Sequence, residues 1–175
     1  MQDFGLVLGG RPNAELIRYL DADWGQDHDT RRSRTGYAFM LGVGAVTWKS
    51  KLQSTVALST CEAEYMALTH ATKEAIWLQS LLAGLGHPQG TVTIREDNQG
   101  TIATAENPSN HSRMKHVSIR YHFVRDKVAE KAIRIEYLPT DDNVADVMTK
   151  ALACDKFDKF RALLGVQQRK PAELG

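Results

Sequence analysis

The longest periodic signal in the chain is helical. Between residues 60 and 85, apolar side chains return at Tyr65, Leu68, Ala71, Ala75, Leu78 and Leu82, the three-and-four spacing of a helix that buries one face. Ser59 or Thr60 stands where an N-cap is needed, acids follow in the first turn, and Gly84, Gly86 and Pro88 close the run. Strand patterns precede this helix at 14–22, 36–41 and 45–50, the last two as a hairpin or meander. Two further alternating runs follow at 91–96 and 133–138. Shorter helical patterns cover 99–106, 117–129 (through Tyr121, Val124 and Val128), 144–151 and 156–164. Three strands, a helix, a strand, helices, a strand and closing helical pieces predict an α/β fold, a five-stranded mixed sheet flanked by helices. Short antiparallel links come first and helical crossovers later.

Size and composition narrow the classes. A chain of 175 residues is one ordinary domain, long enough to bury a core. Hydrophobic content of 42% and charged content of 25% exclude a disordered chain. The net charge of +1 provides no global field for nucleic acid, so any such binding must come from local patches. Cys61 and Cys154 have no second thiol near them, which argues against a zinc site or disulfide framework and for a reducing, intracellular and cytoplasmic setting. For Cys61 a small helix-start residue is the favoured reading over a nucleophile. The longest apolar stretch, 37–48, is broken by Gly42 and Gly44 and falls short of the ~20 residues that span a bilayer. No signal segment opens the chain. A soluble protein without membrane attachment is expected.

Four carboxylates sit at the junctions of these elements. Asp21 ends the first strand pattern, Glu64 lies near the start of the long helix, Asp97 follows the 91–96 strand, and Asp146 follows the 133–138 strand and a turn at Pro139. A fold that gathers two strand ends and two helix starts would cluster them around hard cations such as Mg²⁺. Phosphodiester hydrolysis needs an activated water, charge stabilisation and help for the leaving 3′ oxygen, which two divalent ions ~3.5–4 Å apart provide. Four carboxylates offset the charge of two Mg²⁺ or Mn²⁺ ions; neither a Ser/His/Asp triad nor a phosphate-cradling glycine loop is evident. Each acid also has a plain structural role: Asp21 in a turn, Glu64 on a solvated helix face, Asp97 as an N-cap, Asp146 on a helix surface. Asp21 and Asp23 share a strand face, so parity does not separate them. Glu62 and Glu64 lie about 200° apart around a helix, so one alone can face the site.

The words around these acids are more specific. They are Tyr19-Leu20-Asp21-Ala22-Asp23-Trp24, Arg34-Thr35-Gly36-Tyr37, Trp48-Lys49-Ser50-Lys51-Leu52-Gln53, Ala57-Leu58-Ser59-Thr60, Glu62-Ala63-Glu64-Tyr65-Met66-Ala67-Leu68, Glu96-Asp97-Asn98-Gln99, Lys115-His116, Arg120-Tyr121-His122-Phe123 and Ala145-Asp146-Val147-Met148-Thr149-Lys150. In this order, over about residues 3–166, the chain resembles the ribonuclease H domain of copia-type LTR retrotransposon reverse transcriptases. The resemblance implies a ribonuclease H-like fold with Asp21, Glu64, Asp97 and Asp146 as metal ligands and catalytic residues, selecting Asp21 over Asp23 and Glu64 over Glu62. It implies two Mg²⁺ (or Mn²⁺) ions and an endonuclease that hydrolyses the RNA strand of RNA–DNA hybrids during retrotransposon reverse transcription. A polymerase domain would be the natural partner, with a virus-like particle as setting if the parent element is intact. Many members of the wider class carry a His before the last Asp; here residues 139–143 hold none, a lack that copia-type sequences share. His116 either assists in its place or is a structural helix-start residue, the favoured reading; His122 is read as core or packing, and Ala151, where the family usually has Pro, as a change in helix exit only.

Short polar side chains at Asn98, Gln99, Ser59 and Thr60 are placed to reach minor-groove edges, where the 2′-OH distinguishes RNA from DNA. Lys49, Lys51, Arg113 and Lys115 are candidates to neutralise phosphates. Residues 1–13 resemble a tether from a polymerase that is expected to be missing before Met1; 14–166 form the ribonuclease H-like domain, and 167–175, without apolar pattern, a disordered tail. A competing reading is a catalytically silent nucleic-acid-binding remnant of a retrotransposon polyprotein. An integrase or junction nuclease of the same fold would use other acids.

Overall fold

The computed structural model describes residues 3–10, 14–107 and 118–168. In chain order the elements are β1 (Phe4–Leu6), β2 (Leu16–Asp23), β3 (Arg34–Leu41), β4 (Gly44–Leu52), α1 (Thr60–Gly84), β5 (Val92–Glu96), α2 (Gln99–Glu106), α3 (Ser118–Ala129), β6 (Ile133–Tyr137), α4 (Cys154–Leu163) and β7 (Val166–Gln168). Two 3₁₀ segments, Thr140–Asp142 and Val144–Met148, connect β6 to α4.

Five strands form one sheet in the order β4-β3-β2-β5-β6. β2, β3 and β4 pair antiparallel through short connections. β5 lies parallel to β2 and β6 parallel to β5, which requires the helical crossovers α1 and α2–α3. The α/β fold with a five-stranded mixed sheet is therefore as the periodicity predicts. Strand alternation divides the core in two. Leu16, Leu20, Phe39 and Ile94 turn to the α1 side, where Tyr65, Leu68 and Val124 meet them. Ala38, Met40 and Ala45 face the other way, against Val144, Phe160 and Leu164. Tyr65 of α1 and Tyr121 of α3 stack with centroids 4.3 Å apart, fixing one helix on the other.

The chain's ends depart from the sequence expectation. Phe4–Leu6 pairs antiparallel with Val166–Gln168, so Gln167 and Gln168, expected to open an unstructured tail, are opposite Gly5 and Phe4. Arg161 stacks on the Phe4 ring at 4.2 Å and donates to the Val166 carbonyl, and the Val7 amide donates to the Gly165 carbonyl. Part of the stretch read as a tether thus belongs to the folded unit; residues 1–2, 11–13 and 169–175 lie outside the described residues. The helix expected over 144–151 is instead the 3₁₀ segment Val144–Met148, because the Asn143 side chain accepts from the Ala145 amide and Thr149 caps after little more than one turn.

Candidate functional site

Three of the four acids converge at one end of the sheet. β2 runs through the sheet centre and delivers Asp21 near its C-terminal end; β5, parallel to it, delivers Asp97 one residue past its own end. α1 brings Glu64 over them. Its start is fixed by Ser59, whose hydroxyl accepts from the Glu62 amide, while the Glu62 carboxylate accepts from the Leu58 amide. That capping engages Glu62 and turns Glu64, two residues on, toward the sheet end. Gln53 locks the same turn by donating to the Ala63 carbonyl and the Thr35 hydroxyl. One oxygen each from Asp21, Glu64 and Asp97 lies within 4.8 Å of the others. Asp23, the reserve for Asp21, is half-buried and outside this group.

Asp146 neighbours Asp21 but is outside this three-acid group. The Lys150 ammonium bridges them, 2.9 Å from an oxygen of each, and Lys156 lies 3.1 Å from the second Asp146 oxygen. The Thr149 hydroxyl donates a short hydrogen bond to the remaining Asp21 oxygen. Two features hold the 3₁₀ segment there. Asn143, fully buried, donates to the Leu20 carbonyl at 2.7 Å. Gly36, opposite Asp21 on β3, admits the segment: a Cβ on Gly36 would come 2.6 Å from Thr149 and 2.8 Å from Met148.

Glu96 enlarges the acidic group. On β5 it shares a face with Val92 and Ile94 and is fully buried, with one oxygen accepting from the Asn98 amide. Burial pushes its carboxyl up to about 8. Burial first, then Glu96, Asp21 and Asp97, hold Glu64 well above the ordinary carboxylate value. Burial also raises Asp21, with Lys150 and Thr149 opposing. For Lys150, burial works against the charge but Asp21 and Asp146 outweigh it, so the ammonium is held above its usual value. Behind Glu96 lies Arg18, fully buried, its guanidinium 5.1 Å from the ring centres of both Tyr37 and Phe39.

The residue types fit divalent ions. Glu64 and Glu96 each have a buried carboxylate oxygen with no hydrogen-bond partner, and several hard oxygens face one another. Such acceptor-only groups are satisfied by a cation. Asp21, Glu64 and Asp97 would hold one ion, with Asp21 and Asp146 offering a second position.

The other candidates are spread around this centre. Ser59 caps α1, Thr60 and Gln99 are exposed, and Asn98, not Asp97, caps α2 by accepting from the Thr101 amide. Lys49 and Lys51 lie on the edge strand β4, Lys49 6.0 Å from the Tyr37 ring centre. His70 is held below the usual histidine value by partial enclosure, then by Lys49, Lys73, Arg120 and Lys51, which marks a basic patch joining β4, α1 and α3. Arg113, Lys115 and His116 lie outside the described residues. His122, read as a packing residue, is exposed on α3. Lys150, Thr149, Gly36, Asn143 and Glu96 were not singled out from sequence. A Lys four residues after an acid, and a Glu in phase with Val92 and Ile94, were the available signals.

The fold matches that of ribonuclease H. LC11-RNase H1, isolated from compost by a metagenomic approach, superposes with a TM-score of 0.59 at 16% identity, over 83% of this chain and 97% of that one. The same enzyme crystallised with an RNA/DNA hybrid gives 0.57 at 16% identity, over 77% and 94%. No family model matches the chain. In sequence it is 42% identical over 161 residues to the retrovirus-related Pol polyprotein from transposon TNT 1-94 of Nicotiana tabacum, covering 92% of this chain and 12% of the relative. It is 38% identical over 174 residues to that from transposon RE2 of Arabidopsis thaliana, covering 97% and 12%. The homologues of this chain are thus copia-type retrotransposon Pol polyproteins, and the chain spans about 12% of the length of these curated relatives.

Proposed function

We propose that the chain is a metal-dependent ribonuclease H that cuts the RNA strand of RNA–DNA hybrids, serving reverse transcription of a copia-type element inside the cell. The convergence of Asp21, Glu64 and Asp97 within 4.8 Å, with Asp146 adjoining, carries this reading. Two bound Mg²⁺ or Mn²⁺ ions would supply an activated water and stabilise the leaving 3′ oxygen. Asp21, Glu64, Asp97 and Asp146 offer the ligand oxygens, and the buried Glu96 carboxyl raises the pKa of Glu64 beside them. Ser59 and Thr60 at the α1 start and Asn98 and Gln99 at the α2 start are the proposed contacts to sugar and base edges. Lys49 and Lys51, with Lys73 and Arg120, form a cationic flank for a phosphate strand. Arg113 and Lys115 complete the proposed contact set, and the polymerase domain of the parent polyprotein is the proposed source of further duplex grip. No helix among the described residues is long and apolar enough to cross a membrane.

The test is a labelled RNA–DNA hybrid with Mg²⁺ or Mn²⁺ at low salt, beside RNA duplex and single-strand controls. Cleavage of the RNA strand of the hybrid alone is expected. Metal-dependent binding with no strand ever cut would replace this reading with a silent nucleic-acid-binding remnant.

A further inference from the structure

The two halves of the acidic centre are chemically unlike. All four carboxylate oxygens of Asp21 and Asp146 are engaged: Lys150 takes one of each, Thr149 the second of Asp21, Lys156 the second of Asp146. Two ammoniums thus neutralise two acids whose side chains are each 2% exposed. In contrast, Glu64 and Glu96 keep buried oxygens without partners, and no ammonium or guanidinium is in salt-bridge contact with Glu64 or Asp97 among the described residues. One half calls for a cation; the other already holds one.

We infer that the Lys150 ammonium is the resident cation of the Asp21–Asp146 position, so that the free protein takes one divalent ion, between Asp21, Glu64 and Asp97, and a second only when the Lys150 side chain is displaced. The inference rests on the reading of the acids as a metal site. Geometry makes Lys150 suited to the role. It stands four residues after Asp146 at the end of the 3₁₀ segment, and its amide donates to the Asp146 carbonyl at 2.8 Å, so its backbone is fixed beside the acids. Its side chain is one-third exposed (33%), and the ammonium is the tip of a flexible stem with a path to solvent. A like charge at this distance opposes a dication directly, and it does so more strongly in a buried setting than in water. Lys150 also suppresses the repulsion that would otherwise separate Asp21 from Asp146 when no second ion is present, keeping the position formed. Loading of the centre is then ordered: the three-acid position first, the lysine-held position second.

Calorimetric titration of the free full-length chain with MnCl₂ tests this, with Lys150→Met and Lys150→Arg alongside. Wild type and Lys150→Arg should take one ion; Lys150→Met should take two, the second at least ~tenfold tighter than in wild type. The Tm of ion-free Lys150→Met should fall while its rise on adding Mn²⁺ exceeds that of wild type. Two ions in free wild type, or one in folded Lys150→Met, would overturn the role of Lys150 and leave the metal site standing. No Mn²⁺ uptake by any of the three proteins would overturn both. Should Lys150→Met fail to fold by circular dichroism, the wild-type count decides alone: one supports the inference and two overturns it.

Discussion

Asp97 and Gly36 show how single residues bear on the site in different ways. Asp97→Asn keeps the shape of a ligand but removes charge from the three-acid group, so hybrid cleavage should fall by ~10³ or more with the melting curve little changed. Glu64→Gln should behave alike. Glu62→Gln, whose acceptor oxygen still reaches the Leu58 amide, should retain near wild-type turnover. If Glu62→Gln is dead and Glu64→Gln active, α1 presents the other acid. Gly36 carries no side chain to act in the chemistry, yet a methyl there meets Thr149 and Met148. Gly36→Ala should destabilise the fold by about 1–3 kcal/mol and move Asp146 away from Asp21, lowering kcat; an alanine variant with unchanged Tm and turnover would show that the 3₁₀ segment yields without effect.

The elements show what a sequence exposes and what it conceals. α1, α2 and the five sheet strands are legible because their periods are long enough to outweigh local noise, and all begin and end within two residues of the pattern. The convergence of Asp21, Glu64 and Asp97 followed from placing each at an element end. β1 and β7 were not legible: three residues each, without alternation, they pair across the whole chain by backbone hydrogen bonds that composition does not encode. The 3₁₀ segment was concealed for another reason. Its form depends on Asn143, whose amide is spent on the Leu20 carbonyl of β2, a long-range contact invisible in the local word. Asn143→Ala leaves that buried carbonyl without its donor and should cost about 1–3 kcal/mol, read by denaturant unfolding, with reduced activity at temperatures where the protein stays folded. No loss in either would show that Val144–Met148 is held from elsewhere.

For the whole molecule, the buried acids tie stability to pH and to metal. An unfolded Glu96 titrates near 4.5 and the folded one at about 8, so between these values the folded state carries more protons. Ion-free stability should therefore fall as pH rises through that window, on the order of a few kcal/mol, and Glu64 and Asp21, also raised, act in the same direction. His70, held low, works oppositely below its ordinary value of 6.5, so Glu96→Gln against wild type isolates the carboxyl. In EDTA the stability difference between the two should change steadily from pH 5 to 8 in favour of the variant. Mn²⁺ requires the deprotonated acids, so its gain in Tm should grow over the same range. A wild-type-minus-variant difference independent of pH would remove Glu96 from the acidic centre. Charge at this scale also governs substrate: at a net +1, with the six proposed phosphate contacts, the log–log salt slope of hybrid affinity should be roughly −5.

The central claim, hydrolysis at the Asp21–Glu64–Asp97–Asp146 centre, is tested most directly by single-turnover cleavage with analysis of the product ends. Wild type and Asp97→Asn are compared on an RNA–DNA hybrid at low salt in Mn²⁺. Hydrolysis by an activated water with departure of the 3′ oxygen predicts 5′-phosphate and 3′-hydroxyl ends on the RNA, formed by wild type, lost in EDTA and lost in the variant. Cyclic phosphate ends, or equal cleavage by Asp97→Asn, would contradict the account.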